Sequence, residues 1–174
     1  TVGIDLYMKM LNDEILRLKG IEVEEKQETD NAPVDVETHI KDSYVSEEDI
    51  KIAIHKLINT IDSKEKYLEV EQEIKDRFGL IDDNMLIYLN EKLFESFMKK
   101  LGINQVVDNN KYIELEFSKE KSEDINYEDL FISSIDISNN FKFSYKNSRL
   151  FIKLDKTGLV NHPLFYLNSL LERM

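Results

Sequence analysis

The hydrophobic period of this 174-residue chain shifts after Gly102, from mainly helical to mainly strand-like. Before it, apolar residues recur every three or four positions, the spacing of amphipathic helices. After it they alternate, which is the spacing of half-buried strands. Helices grouped first and strands later exclude an alternating parallel sheet. They predict an α+β fold, a helical layer packed on a small antiparallel sheet of hairpins.

Before Gly102 the segments read in order. Leu6, Met10, Leu11, Ile15 and Leu18 give an amphipathic helix over 2–19, stopped by Gly20. Glu22 to Ala32 is acidic and lacks apolar periodicity, so it reads as a mobile linker into Pro33. Val34, Val36, Thr38 and Ile40 alternate with polar residues as in a strand. Ser46 opens a helix, with Asp49 completing a capping box, and Ile50, Ile54, Leu57, Ile58 and Ile61 form its apolar face. Asp62-Ser63 caps the next helix. There Tyr67, Val70, Ile74 and Phe78 share one face, and Gly79 ends it in the left-handed capping conformation. Glu65, Glu69, Glu73 and Asp76 occupy the opposite face as a narrow acidic stripe, with Glu73 to Arg77 in the favourable i, i+4 orientation. A third helix starts near Asp82-Asp83, with Leu86, Leu89, Leu93, Phe97 and Leu101 as its buried stripe and Lys99-Lys100 at its negative end.

After Gly102, Val106-Val107, a turn at Asp108-Asn109-Asn110, and Ile113, Leu115 and Phe117 read as a hairpin. Lys119 to Asn126 is polar and reads as a loop. Tyr127 to Ile137 reads as a short helix. Phe141, Phe143 and Tyr145, a turn at Asn147-Ser148, and Leu150, Ile152 and Leu154 make the clearest hairpin. Pro163 opens a last helix with Leu164, Leu167, Leu171 and Met174 on its apolar face.

The composition excludes several classes of function. There are no cysteines, hence no disulfide framework and no thiolate metal site, as expected in a reducing cytoplasm. No apolar run is long enough to cross a bilayer. The start, Thr1-Val2-Gly3-Ile4-Asp5, lacks the regions of a signal peptide and an initiator methionine, which reads as a fragment of a longer chain. The net charge of −12 and the absence of a Lys/Arg cluster argue against direct nucleic-acid contact. A basic protein surface is the more natural partner. No phosphate-binding glycine loop is present, and His39, His55 and His162 lack metal-ligand spacing. Glu73 and Asp76 lie beside Lys75 and Arg77 on a polar helix face. A hydrolytic acid pair there would need a desolvating cleft. No cofactor, metal site or enzymatic activity is therefore expected of this chain, and it is expected to be a monomer.

Glu73-Ile74-Lys75-Asp76-Arg77-Phe78-Gly79 resembles the E-x-x-D-R-F-G signature of the C-terminal domain of bacterial transcription-repair coupling factors, the Mfd family. The resemblance continues through Pro33-Val34-Asp35, Asp42-Ser43-Tyr44-Val45, the stretch from Lys51 to Leu57, and Lys99-Lys100-Leu101-Gly102-Ile103. It covers about the first two-thirds of the chain; beyond Phe117 only the order of elements is similar.

The resemblance implies a parent that is an ATP-dependent DNA translocase, which removes stalled RNA polymerase and recruits the excision-repair protein UvrA. It implies that residues 1–20 are a terminal helix of the parent's motor, 21–32 a linker and 33–174 the regulatory domain. That domain would dock on the N-terminal, UvrA-binding module of the same protein and mask the UvrA surface. The E and D of the signature fall on Glu73 and Asp76, which would accept hydrogen bonds from arginines of that module, with Glu69 and Arg77 alongside. Two readings compete with docking: a passive structural cap of the motor with a solvated acidic face, and an independent hydrolase with a deep pocket around the acids.

Overall fold

The computed structural model describes residues 40–174. The expected helix over 2–19, the linker over 22–32 and the strand from Val34 lie outside the described residues. The elements in chain order are α1 (Glu48–Ile58), α2 (Lys64–Phe78), α3 (Asp83–Lys100), β1 (Ile103–Asp108), β2 (Tyr112–Phe117), α4 (Lys119–Asp124), α5 (Tyr127–Ile137), β3 (Phe141–Lys146), β4 (Arg149–Asp155) and α6 (Pro163–Leu171). Helices and a four-stranded antiparallel sheet make an α+β fold. The described chain divides into two compact units at Ser96/Phe97.

The first unit, residues 40–96, is helical. Ser63 caps α2 by accepting a hydrogen bond from the Lys66 amide at 3.2 Å. Tyr67, Val70 and Ile74 are buried and Phe78 is half-buried, so the apolar stripe of α2 sits where the spacing predicts. Gly79 ends α2 at φ 95°, ψ −170°. This corrects the expected left-handed cap: its ψ lies in an extended region that only glycine visits without strain. Helix α1 begins at Glu48 rather than at Ser46, and no side chain caps it, so the expected capping box does not form. Glu48 and Asp49 in its first turn provide negative charge where the helix dipole favours it. Its buried line runs through Lys51, Ile54 and Ile58, with Ile61 just beyond; Ile50 and Leu57 are only half-buried. Lys51 reaches the exposed carboxylate of Asp42. Helix α1 packs on α2. Helix α3 joins them through Tyr88, whose hydroxyl lies 2.5 Å from His55 Nδ1, and Asn90, which donates to the Tyr67 hydroxyl at 3.3 Å. On α3, Leu89 and Leu93 are buried as expected, whereas Leu86 is half-buried and Met85 and Tyr88 are buried instead.

The second unit, residues 97–174, holds the sheet in the order β1-β2-β4-β3. Two hairpins supply it, and β2 pairs with β4 antiparallel, Leu115 opposite Ile152. Ile113, Leu115, Leu150, Ile152, Leu154 and Phe141 fill one face. Gly102, at φ 65°, precedes β1, and a Cβ there would stand 2.9 Å from Ser118 Oγ, so both its conformation and its space require glycine. The stretch expected to be a loop over 119–126 is instead helix α4. Ser118 caps it by accepting from the Lys121 amide. Ser122, fully buried, donates to the Ser118 carbonyl at 2.7 Å and accepts from the Leu150 amide at 2.9 Å. Within this otherwise charged stretch, the single buried serine satisfies backbone groups in the interior. Asn147 and Ser148 both have positive φ, 53° and 61°, as a two-residue type I′ hairpin requires.

A candidate docking face on helix α2

Helix α2 separates its residues by chemistry. Tyr67, Val70 and Ile74 are buried on one side. Glu65, Glu69, Gln72, Glu73 and Asp76 are exposed on the other. A carboxylate three or four residues from its neighbour leaves the helix on the same side, so these groups share one outward surface. Gln72 is the member of this face that charge patterning alone does not reveal.

Glu69, Glu71, Glu73 and Asp76 are each held by a partner on their own helix. Arg77 Nη1 donates to Glu73 Oε1 at 3.2 Å. Gln72 Nε2 donates to Asp76 Oδ1 at 2.9 Å. Lys66 pairs with Glu69 at 3.4 Å, and Lys75 with Glu71 at 2.7 Å. The Glu73 and Arg77 side chains are 47% and 50% exposed, so their pair belongs to the exposed class that contributes under about 1 kcal/mol. The Arg77 guanidinium also lies over the Phe78 ring, 4.9 Å from its centre, which directs it along the helix.

The end of α2 is anchored from outside the helix. The Tyr44 hydroxyl donates to the Gly79 carbonyl at 3.0 Å. Burial, followed by the nearby Asp82 charge, raises the pKa of this hydroxyl and keeps it a donor. Asp42, two residues earlier, pairs with buried Lys51. The Asp42–Val45, Lys51–Leu57 and Gly79 pieces, scattered in the sequence, thus meet around the carboxyl end of α2. The burial of Lys51 was legible in principle, because it precedes Ile54, Ile58 and Ile61 at helical spacing.

The surface is exposed to solvent. The cavities of about 210 and 270 Å³ both lie within 97–174 and include none of Glu69, Glu73, Asp76 or Arg77. Among the described residues, no group of three or more His, Asp or Glu could hold a metal ion, and no helix is long and apolar enough to cross a membrane. The exposed face can offer hydrogen-bond acceptors to a basic surface.

Comparisons with known proteins agree on one family. The TRCF domain family matches residues 34–128. A transcription-repair-coupling factor of Staphylococcus epidermidis is 28% identical over 162 residues, covering 90% of this chain and 14% of the relative. One of Staphylococcus aureus is 26% identical over 174 residues, covering 99% and 15%. The chain therefore spans about one-seventh of the length of the curated relatives it matches. The crystal structure of a C-terminal domain of transcription-repair coupling factor superposes with a TM-score of 0.61 at 23% identity, covering 80% of this chain and 86% of that one, and shares the fold.

Proposed function

Starting from the fact that this chain belongs to the TRCF domain family, we propose that it is the regulatory C-terminal domain of a transcription-repair coupling factor and acts by docking. Its partner is the N-terminal repair-recruitment module of the same protein, and docking masks the surface that UvrA needs. The parent is an ATP-dependent DNA translocase that displaces stalled RNA polymerase and recruits excision repair. This domain contributes an interface to that work and no chemistry. In domain terms, residues 1–20 belong to the motor, 21–32 link, and 33–174 regulate.

One observation supports this most strongly. Glu73 and Asp76, which by resemblance fall on the acidic positions of the family signature, both project from the exposed face of α2, opposite its buried stripe. Arginines of the opposing module would take over from Arg77 and Gln72. A guanidinium meets a carboxylate with two parallel hydrogen bonds, which sets direction as well as attraction.

The test is the double change Glu73→Ala with Asp76→Ala in the full-length parent. Losing one partner of a desolvated charge pair costs about 2–5 kcal/mol, whereas an exposed pair gives under about 1. UvrA binding without ATP should rise well above the autoinhibited level, while the thermal midpoint of the isolated domain stays unchanged. Unchanged UvrA binding with unchanged stability would mean that the intrahelical pairs are the whole story and the face is only solvated, as in a passive cap of the motor.

A further inference from the structure

Strand β3 is an edge of the sheet. In the order β1-β2-β4-β3 it pairs, among the described residues, with β4 alone, from Phe141 to Lys146 without a shift in register. The other edge, β1, is broken by a register shift between Ile103 and Gln105, a device that spoils an edge for further pairing. Strand β3 has no such shift and no proline. The Asn147-Ser148 turn sets its phase. A two-residue hairpin makes Lys146 and Arg149 a hydrogen-bonded pair, so Lys146, Ser144 and Lys142 turn their backbone groups towards β4. The Asp155 amide, donating to the Asn140 carbonyl at 3.0 Å, keeps the same phase. Phe141, Phe143 and Tyr145 therefore direct their N–H and C=O groups outward.

The two faces of β3 differ in chemistry. On one, Phe143 packs edge-on against Phe131 of α5 with centroids 5.1 Å apart, and Tyr145 against Tyr127 at 6.2 Å. Ile132 and Ile135 of α5 are 61% and 69% exposed and Tyr145 54%, so this side offers uncovered apolar surface. On the other face Lys142 and Lys146 are exposed. Lys142 stands opposite Lys153, and Lys146 opposite Arg149. Like charges directly opposite one another repel. Strand β2 answers the β4 cations: Glu114 reaches Lys153 at 3.7 Å and Glu116 reaches Arg149 at 4.0 Å. Asp155, diagonal to Lys142, accepts from the Thr157 amide at 2.8 Å. The row Glu114, Lys153, Lys142 thus ends on a cation at the open edge.

We propose that β3 is a strand-addition site for a partner protein, and that it takes an extended segment in which two acids flank an apolar, a short polar and a second apolar residue. Lying antiparallel, such a segment sets its acids opposite Lys146 and Lys142, its polar residue opposite Ser144, and its apolar side chains opposite Tyr145 and Phe143 on the α5 side. Tyr145 and Phe143 each exchange two main-chain hydrogen bonds with it. The incoming acid completes the row as acid, base, base, acid, so the arrangement of β2 on β4 is repeated on β3. The lysines also decide against a second copy of this chain. Another β3 brings two more lysines to the row and no acid, whichever register it takes, and lysine on an edge is a common guard against pairing of like with like. None of the acids of α2 takes part, so the inference stands apart from the docking proposed above.

The test titrates the isotope-labelled 174-residue chain with a blocked heptapeptide, Ser-Glu-Val-Thr-Val-Glu-Ser, and follows backbone amides by nuclear magnetic resonance. The amides of Phe141, Phe143 and Tyr145 should shift saturably, with half-saturation at about 1 mM or below, while those of β1 stay in place. The same peptide with lysine for both glutamates should bind about ten-fold or more weakly, because two attractive cross-strand pairs become repulsive. Lys142→Glu with Lys146→Glu should invert that preference, and since both side chains are exposed the exchange leaves the core intact. Inversion in the variant supports the proposal independently of the absolute affinity. No saturable shift, shifts confined to α5, or equal binding of the two peptides to the unaltered chain overturns it. Doubling of mass in sedimentation of the chain alone, with concentration-dependent shifts of the same three amides, gives the edge to a second copy and overturns it too.

Discussion

Tyr88 is tightly constrained by its surroundings. Its side chain is buried, its hydroxyl meets His55, and burial followed by the Glu91 charge pushes its pKa well above the ordinary 10.0. A tyrosine that resists ionisation in the fold titrates more easily in the unfolded chain. Its contribution to stability is therefore complete below about pH 10 and falls as the pH rises further. Tyr88→Phe should be less stable than the unaltered chain at pH 8, by about 1 kcal/mol for the lost hydrogen bond. The gap should close above about pH 10, where only the tyrosine loses stability. Urea unfolding at pH 8 and pH 11 measures both ends, and a constant gap would place the hydroxyl in contact with water. A residue of this kind is hard to foresee from sequence. Tyr88 follows Met85 and precedes Leu89 on a plainly helical stretch, but its partner His55 lies 33 positions away. Lys51 is the reverse case, since its position in the apolar line was readable and only the presumption that lysine faces water hid it.

At the scale of elements, the helices with a strong period were legible and the ones stabilised by polar side chains were not. The buried stripe of α2 and the exposed acids of the candidate site follow from spacing alone. Helix α4 does not, because it is held by Ser118 and Ser122 rather than by apolar contacts, and its sequence is that of a loop. The same competition between backbone and side chain explains the start of α1, where two acids near the dipole replace a cap. The β3–β4 turn offers a direct check. Ser148 adopts φ 61°, a region costly to residues other than glycine and, to a smaller extent, asparagine. Ser148→Gly should raise stability by roughly 0.5–1 kcal/mol, the gain from steric relief less the extra entropy of the unfolded glycine. Thermal denaturation decides it, and a loss instead would mean that the serine hydroxyl stabilises the turn.

Across the whole molecule, charge and apolar surface are divided between units. Among the described residues, the exposed acids of α2 lie within 40–96, while Phe131, Ile132 and Ile135 form an exposed apolar stripe within 97–174. A chain of net charge −12 meeting a basic module associates faster at low salt. Its association with the isolated N-terminal module should slow several-fold between about 50 and 300 mM salt, as the Debye length contracts from about 14 to 6 Å. Dissociation, set by the close contacts, should change much less, and stopped-flow mixing separates the two rates. The pairs along α2 bear on how fast such a complex can turn over. Because Arg77, Gln72 and Lys66 already pair with these acids, docking as proposed would exchange one set of hydrogen bonds for another, and release would regenerate the first set without waiting for water to reorganise around bare carboxylates. Side-chain rotations of this sort take nanoseconds or less. If the domain docks as proposed, a latch built this way would be quick to reset and would never leave an unquenched surface behind, so it could sample release continually while resting closed.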